Sequence, residues 1–329
     1  MLHTAVNLLV VGGAGYIGSI TTELLLSRGH QVTILDNFST GYRDALAKGA
    51  GVVSGDLSDD RLLDRLFTSN RYDAVLHFAA RIAVSESMEH PGIYFANNVG
   101  AVIQLVNSML AHGVARMVFS STAAVYGIPA TVPVTETARF RPNNPYGASK
   151  AVVEELLRWY GERAGLSYAS LRYFNAAGAS SLFGEDHRPE THLIPLAVDA
   201  ALGRLSRLDL YGTDYPTKDG TAVRDYVHVL DLAQAHLLAL EQLSPRPLVC
   251  NLGSERGYSV REVIHTVREV TGAEIPVREA PRREGDAPAT IASSQRAHKR
   301  LGWRPTRGLR EMVESCWRWR KNHPHGYGR

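Results

Sequence analysis

Six residues near the start of the chain, Val6-Asn7-Leu8-Leu9-Val10-Val11, form an apolar run that stops at Gly12-Gly13-Ala14-Gly15-Tyr16-Ile17-Gly18. A short apolar run without alternation reads as a strand buried on both faces. Glycines directly after it permit a tight turn, close approach of backbone to a phosphate, and tight packing of the next helix on the strand. Gly13, Gly15 and Gly18 fit G-x-G-x-x-G, whereas Gly12, Gly15 and Gly18 fit the three-residue spacing of another dinucleotide loop. Either pattern alone is weak, but the context is that of a β-α-β unit: an amphipathic helix over residues 19–28, Gly29 as its stop, and a second strand over 31–35. Phosphates would then sit on the helix N-terminus. Asp36 ends the second strand. A carboxylate there can accept hydrogen bonds from adenosine ribose hydroxyls and repel a 2′-phosphate, which predicts NAD rather than NADP; it could also simply cap a turn.

Strand and helix keep alternating, as a parallel sheet requires. Residues 52–53 run into Gly55-Asp56-Leu57, a turn that could set Asp56 against the adenine, and a helix follows over 59–67. A fourth strand, residues 73–78, ends in Ala79-Ala80, small residues that leave room beside it. Asn97 and Asn98 in the next helix are either packing amides or site residues. A fifth strand, residues 115–120, delivers Ser120-Ser121-Thr122 to the carboxyl edge of the sheet, where open α/β sheets bind their ligands.

After the turn Asn143-Asn144-Pro145 comes Tyr146-Gly147-Ala148-Ser149-Lys150, continuing into a helical run over 151–157. Tyr146 and Lys150 therefore share one helical face. A phenol titrates near pKa ~10 and becomes a useful base at neutral pH only if a neighbouring cation stabilises the phenolate. Lys150 can be that cation. Such a tyrosine takes a proton from a sugar or alcohol hydroxyl while the carbon beneath gives hydride to a cofactor. Residues 167–172 form a sixth strand, and past Tyr173-Phe174-Asn175 the alternation lapses.

The expected fold is α/β: a Rossmann-type doubly wound parallel sheet over residues 1–175, and a smaller C-terminal α/β substrate-binding domain over 176–329 from which segments return to the first. A chain of 329 residues is too long for a single core. Its 36 basic and 33 acidic residues, a net +3 spread along the chain, argue against a nucleic-acid partner. No apolar run approaches the roughly 18 residues of a membrane helix, and the N-terminus lacks a secretory pattern. Cys250 and Cys316 show no metal-ligand spacing, so a cytoplasmic, reducing setting and no metal are expected.

The glycine turn, Asp36-Asn37, Asp56-Leu57, His77-Phe78-Ala79, Asn97-Asn98-Val99, Phe119-Ser120-Ser121-Thr122-Ala123-Ala124-Val125-Tyr126-Gly127 and Tyr146-Gly147-Ala148-Ser149-Lys150 together resemble the extended short-chain dehydrogenase/reductase family. Arg172-Tyr173-Phe174-Asn175, Tyr211-Gly212-Thr213-Asp214-Tyr215-Pro216, Gly220-Thr221-Ala222-Val223-Arg224-Asp225-Tyr226 and Pro281-Arg282-Arg283-Glu284-Gly285-Asp286 narrow the resemblance to its UDP-glucose 4-epimerases, nearly end to end. It implies a homodimer that interconverts UDP-galactose and UDP-glucose through a transient 4-keto sugar, with tightly held NAD. The cofactor would follow the turn at Gly12, Gly15, Tyr16, Ile17 and Gly18, then Asp36, Asn37, Phe38, Ser39, Thr40 and Gly41, with Asp56 and Leu57 at the adenine. Phe78, Ala79, Ala80, Asn97, Ser120, Tyr146, Lys150 and Phe174 would complete its site.

By the same resemblance Thr122 hydrogen-bonds the sugar 4-oxygen and relays its proton to Tyr146, while Lys150 lowers the tyrosine pKa and holds the nicotinamide ribose. Three positions depart from the family pattern: Thr122 stands where many relatives have serine, Val11 replaces a threonine, and Ile82 replaces a lysine for which Arg81 could substitute. In the second half, Asn175 binds substrate phosphate, though as bare sequence it could equally be a turn amide. His192-Leu193 opens a helix facing the nucleotide, with His192 a ligand or only a helix-start residue. Asp209-Leu210-Tyr211 is a short strand lining a uracil pocket, Arg224 and Arg283 clamp the pyrophosphate with forked guanidinium groups, and Asp286 takes ribose hydroxyls. Thr290 walls the pocket near the sugar 2-substituent; a tyrosine there would exclude N-acetyl groups, so threonine predicts turnover of UDP-GlcNAc and UDP-GalNAc as well.

The remaining segments read as scaffold: a surface loop over 183–191, Asp231 capping a helix over 232–243, a strand over 248–252, a Ser259-Val260-Arg261-Glu262 capping box, and a last helix over 309–321 that packs on the small domain with Met312, Val313, Cys316 and Trp317 on one side. A nucleotide-sugar 4,6-dehydratase would need an acid and a base directly after Thr122, where this chain has Ala123 and Ala124. A non-catalytic NAD-binding sensor could dispense with Tyr146 and Lys150, which are both present.

Overall fold

The alternation runs without a break through the first half of the chain. A computed structural model describes residues 5–283 and 285–328; Glu284 of the Arg-Arg-Glu-Gly-Asp segment lies outside the described residues. In order come β1 (Asn7–Val11), α1 (Tyr16–Ser27), β2 (Gln31–Asp36), β3 (Gly51–Ser54), α2 (Asp60–Ser69), β4 (Ala74–His77), α3 (Val84–Glu89), α4 (Pro91–Phe95), α5 (Ala101–Ala111), β5 (Arg116–Thr122), α6 (Pro145–Ala164) and β6 (Ser167–Tyr173). There follow β7 (Asn175–Ala177), α7 (Leu193–Ala201), β8 (Leu208–Tyr211), β9 (Val223–His228), α8 (Val229–Glu241), β10 (Leu248–Leu252), β11 (Gly257–Ser259), α9 (Val260–Thr271), β12 (Val277–Ala280), β13 (Ala289–Thr290), α10 (Gln295–Leu301) and α11 (Leu309–Asn322).

Two compact units result, each built from separated segments. One comprises the chain up to Gly127 with Arg139–Arg172 and Ala233–Cys250; the other comprises Ile128–Ala138, Tyr173–Leu232 and the chain from Asn251 onward. The seven-stranded sheet has the order β10-β6-β5-β4-β1-β2-β3. The pairings β1–β2, β1–β4, β2–β3 and β4–β5 are all parallel. Strand order reverses between β1 and β4, and the carboxyl ends of those two strands, Val11 and His77, lie side by side in register. That crevice is where a doubly wound sheet takes its ligand. Leu9, Val11, Leu35, Val75, Leu105, Met117, Phe119, Val153 and Leu157 belong to one buried cluster under the helices on this face.

Helix α1 starts at Tyr16, three residues before the expected Ser19, because the glycine turn runs straight into it with Gly15 as an extended N-cap. Between α4 and α5 the chain makes one π-helical turn, Ala96–Gly100, which buries Asn98. Its Oδ1 accepts Arg81 N at 2.9 Å, and its Nδ2 donates to Arg81 O at 3.0 Å and Ser149 Oγ at 3.1 Å. Asn98 is thus a packing amide that fastens this turn to α6.

The second unit holds a small sheet, β11-β9-β13 with β7 also on β9, and a separate parallel pair, β8 and β12. Helices α7, α9 and α11 bury Ile194, Val198, Val263, Val267, Met312, Val313 and Cys316 in one cluster. The capping box at Ser259 and Glu262 is formed in both directions. Trp317 packs partly buried against this cluster, as its side of α11 predicts, and Trp319 is buried as well. Two expectations change here. Residues 183–191 are no mere surface loop, since Phe183 and Glu185 are buried and a Cβ on Gly184 would lie 2.3 Å from the Trp319 ring. Asp231 lies inside the first turn of α8, and its carboxylate ties down the chain at Thr306 and Arg307 instead of capping the helix. Among the described residues no helix is long and apolar enough to cross a membrane.

Within the first unit one dry ion pair joins three elements. Glu154 of α6 accepts Ser121 Oγ of β5 at 2.5 Å and takes Arg172 of β6 through Nε at 2.9 Å and Nη2 at 2.6 Å. Arg172 Nη1 also donates to Tyr126 Oη at 2.8 Å. Both charges are buried, so removing one strands the other in a medium that solvates it poorly. Arg172→Met is expected to lower unfolding free energy by about 3–5 kcal/mol in urea titrations, with Glu154→Leu added to it recovering part of the loss.

Candidate active site

The first unit brings three backbone segments together at the end of β1. Gly12 has φ +81°, and a Cβ there would lie 2.5 Å from Ala79 N, so the turn presses directly on the chain leaving β4. Phe78 N and Ala79 N both donate to Val11 O, at 2.8 and 3.1 Å. A Cβ on Gly18 would collide with Gly12 O at 2.1 Å, which keeps α1 tight on the turn, whereas one on Gly15 would meet only Gly12 O at 3.4 Å. The N-terminus of α1 has no side-chain cap and no acidic residue in its first turn. Its positive end is left for an anion.

The segment after β2 closes over this turn. Asp36 is buried, with Oδ2 accepting Ala14 N at 2.9 Å and Oδ1 accepting Phe38 N at 2.8 Å. Burial raises its pKa, and those two backbone bonds oppose the shift. Asn37 Oδ1 accepts Ser39 N at 2.9 Å, so two successive side-chain turns bend the chain and Phe38 adopts φ +56°. Arg43 lies over the Phe38 ring at 4.3 Å. A Cβ on Gly41 would lie 2.9 Å from Ala14, and Thr40 is carried in the same exposed bend between Ser39 and Gly41. Asn37 Nδ2 donates to Asp56 Oδ2 at 2.6 Å, bringing Asp56 and the buried Leu57 alongside. Gly12, Gly15, Tyr16, Ile17, Gly18, residues 36–41, Asp56, Leu57, Phe78 and Ala79 therefore border one region at the strand-order reversal; Ala80 follows directly. Asn97 donates to Asn98 Oδ1 at 2.9 Å and stays half-buried.

Helix α6 sets the reactive pair. Asn144 caps it, its Oδ1 accepting Gly147 N at 2.8 Å, and Pro145 occupies the first turn. A Cβ on Gly147 would lie 2.5 Å from Ala124 O, so only glycine lets the helix start this close to the end of β5. That approach sets the Tyr146 hydroxyl beside the Thr122 side chain. Thr122 Oγ1 accepts Ala124 N at 3.1 Å, leaving its own proton to donate toward the phenol oxygen. Lys150 Nζ is buried, donates to Ser120 O at 2.9 Å and sits 4.7 Å over the Phe119 ring.

The electrostatics differ from the simple expectation. Burial raises the Tyr146 pKa, and the Thr122 hydrogen bond is what lowers it. Lys150 is itself pushed down to about 7 by burial, with the Glu154 carboxylate pulling it back up. The ammonium alone does not bring the phenol into the neutral range. His77, under Phe119 with ring centroids 5.7 Å apart, is held neutral by burial and by Lys150, its pKa lowered to about 3. Arg81 pairs with Glu86 at 2.9 Å, while Ile82 next to it is exposed.

The second unit has a cleft of about 430 Å³ whose walls include Asn175, His192, Leu193, Asp209, Tyr211, Arg224, Arg283 and Asp286, in the size range of small-molecule sites. Leu210 instead points into the core, and Thr290 lies half-buried on β13, paired with Arg224 of β9. Asn175 Nδ2 donates to Asp225 O at 2.8 Å, so its amide is partly used by the fold. Arg224 donates to the carbonyls of Val223 and Ala287 at 3.0 and 2.8 Å and reaches Asp286 at 3.3 Å. Arg283 lies 4.0 Å over the Tyr211 ring. Asp209 is held by Arg278 at 2.6 Å. His192 stands 2.9 Å from Glu185 and from Glu190, which hold its pKa well above the ordinary value, Glu185 foremost. Arg207 and Tyr226 also line the cleft and escaped the sequence reading. Phe174 is buried just past β6, its N–H on Leu252 O at 3.1 Å.

Comparison with known proteins agrees with this geometry. Residues 8–253 match the NAD dependent epimerase/dehydratase family. A UDP-glucose 4-epimerase of Halalkalibacterium halodurans is 49% identical over 325 residues, covering 97% of each chain. The structure of UDP-glucose 4-epimerase from Bifidobacterium longum in complex with NAD+ and UDP is 37% identical, with TM-score 0.93 over 98% of this chain and 100% of that one. A UDP-Glc/GlcNAc 4-epimerase from Campylobacter jejuni is 39% identical, with TM-score 0.85 over 97% of this chain and 100% of that one. The family match over residues 8–253 and the end-to-end similarity leave one conclusion: this chain belongs to the NAD dependent epimerase/dehydratase family.

Proposed function

We propose that the protein interconverts UDP-galactose and UDP-glucose by NAD-dependent epimerisation at C4, with Tyr146 as proton acceptor and donor. The observation that carries this is the start of α6 pressed on the end of β5 at Gly147, which sets the Tyr146 phenol beside Thr122, whose side chain lowers its pKa, with Lys150 one helical turn on. The residues fit the dinucleotide: the turn is open over Gly15, the α1 N-terminus is uncapped, and the Asp36 carboxylate faces the same segment. Gly12, Gly15 and Gly18 would take the pyrophosphate, Asp36 the adenosine ribose, and Lys150 the nicotinamide ribose. Bound NAD supplies the hydride acceptor and returns the hydride.

The chain's own groups do the proton work. Thr122 orients the sugar 4-oxygen and passes its proton to Tyr146, and the proton comes back along the same two hydroxyls once the 4-keto sugar has turned its other face. Arg224 and Arg283 meet the UDP pyrophosphate with forked donors, so the nucleotide stays anchored while the sugar turns. Asp286 takes the uridine ribose. No carboxylate follows Thr122 in the turn Ala123–Tyr126, so elimination of water has no catalyst there. The first compact unit serves the cofactor and the second the UDP-sugar, in a cytoplasmic homodimer, the setting that the resemblance and a sequence with only two cysteines favour.

Tyr146→Phe is expected to keep NAD bound while turnover of UDP-galactose falls by about 10²–10⁴-fold; unchanged turnover would remove Tyr146 as the base. Thr122→Ala deletes the hydrogen bond that lowers the Tyr146 pKa. Less phenolate then exists at any given pH, so the rising limb of the pH–rate profile moves to higher pH, and Thr122→Ser restores it. Thr290 leaves space for an N-acetyl group, and wild type is expected to turn over UDP-GlcNAc, with Thr290→Tyr losing that activity and keeping UDP-galactose. Absence of the acetylated reaction in wild type would defeat the steric argument.

A further inference from the structure

Beside the cleft of the second unit, the segment leading into α7 gathers four side chains that the proposed reaction does not need as a group. Glu185, His187, Glu190 and His192 each offer one ligand atom, and those atoms all lie within 4.8 Å of one another. His192 Nδ1 is 2.9 Å from an oxygen of Glu185 and 2.9 Å from an oxygen of Glu190, and His187 Nδ1 is 3.1 Å from Glu185. The two glutamate side chains are nearly dry, 4% and 10% exposed. Two carboxylates so close together and so poorly hydrated need a compensating positive charge.

Without a metal it comes from a proton that the two glutamates hold on His192 and from Arg320. Arg320 donates to the outer oxygen of Glu190 at 2.9 Å, but its other nitrogen is held by Asp199 at 2.5 Å. Toward Glu185, Arg320 reaches only the backbone carbonyl, at 3.1 Å. The Glu185 carboxylate has two imidazoles as its recorded partners.

We propose that Glu185, His187, Glu190 and His192 form a site for one divalent transition-metal ion of the zinc class, fastening residues 185–192 to the start of α7. Two imidazoles and two carboxylates are a four-ligand set suited to such an ion, and with neutral imidazoles the two carboxylates match its charge. Tetrahedral ligand atoms at zinc stand about 3.3 Å apart, so the 2.9 Å contacts at His192 open slightly as the ion replaces the shared proton. Arg320 on the outer oxygen of Glu190 is then a partner that orients a ligand. Phe183 is buried and Gly184 packs on Trp319, which holds the other end of the segment and leaves residues 185–192 as the part the ion would lock. The site lies next to the cleft walls formed by Glu190, Thr191, His192 and Leu193, so its role is to hold that wall and not to enter the chemistry.

The test uses the untagged full-length protein, stripped with a chelator and titrated with zinc chloride alone by calorimetry, with thermal unfolding followed in parallel. Expected are one zinc per chain and a Tm that rises with the logarithm of free zinc, with magnesium chloride giving no shift. Glu185→Gln and His187→Gln should each weaken zinc by at least about tenfold, the loss that follows even from removing an outer-shell partner. The half-buried His187 position carries the test if the buried Glu185 variant does not fold. Failure of wild type to take up stoichiometric zinc overturns the proposal, as does unchanged uptake in the variants, which would place the ion elsewhere.

Discussion

The docking of α6 on the end of β5 governs everything else, and one buried carboxylate holds it. Glu154 lies one turn beyond Lys150, as Lys150 lies one turn beyond Tyr146, so the three share a face of one helix. Glu154 bonds the Ser121 hydroxyl on the strand that ends in Thr122, and Arg172 closes the arrangement from β6. Shifting that carboxylate would shift the phenol away from Thr122 and the ammonium away from Ser120 O together. Geometry and charge come from the same contact, because the Glu154 carboxylate also pulls the Lys150 pKa upward against burial.

Burial works against both members of the reactive pair. It raises the phenol and lowers the ammonium to about 7, so burial disfavours the charged form of each. The neutral pair and the charged pair hold the same number of protons. What decides between them is the field around them, which is set by Glu154, by the Thr122 hydrogen bond and by whatever charge a ligand brings. His77 is held neutral beneath Phe119, so it adds no further positive charge. An active base therefore belongs to the assembled site and not to Tyr146 and Lys150 considered as an isolated dyad.

The parts legible in the sequence are those whose physics is local. A strand, a glycine turn and a helix follow one another between Asn7 and Ser27, and Tyr146 and Lys150 announce their shared face by spacing alone. Asp36 was legible as a strand end, but not as a carboxylate closing the loop through Ala14 and Phe38, which needs the fold. The Ser121–Glu154–Arg172 network was invisible because its members are 33 and 18 residues apart, and nothing in a charged residue's neighbours shows that it will be dry. Trp319 packs on Gly184, 135 residues earlier in the chain, a contact that no local pattern shows. Asp231 looked like a cap because it stands near a helix start, yet its partners are 75 and 76 residues away.

The two arginines assigned to the pyrophosphate are prepared in different ways. Arg224 is held from behind by two carbonyls and meets Asp286 in front, so its guanidinium is aimed before any ligand arrives, and a phosphate there competes with a carboxylate. Arg283 is exposed and lies flat on Tyr211, a contact that keeps it near the cleft without fixing its forked donors. A fixed donor gives direction, and a stacked one gives reach. An anchor that must stay closed while the attached sugar turns over needs both, because direction alone would hold the phosphates in one pose and reach alone would let them leave with the sugar.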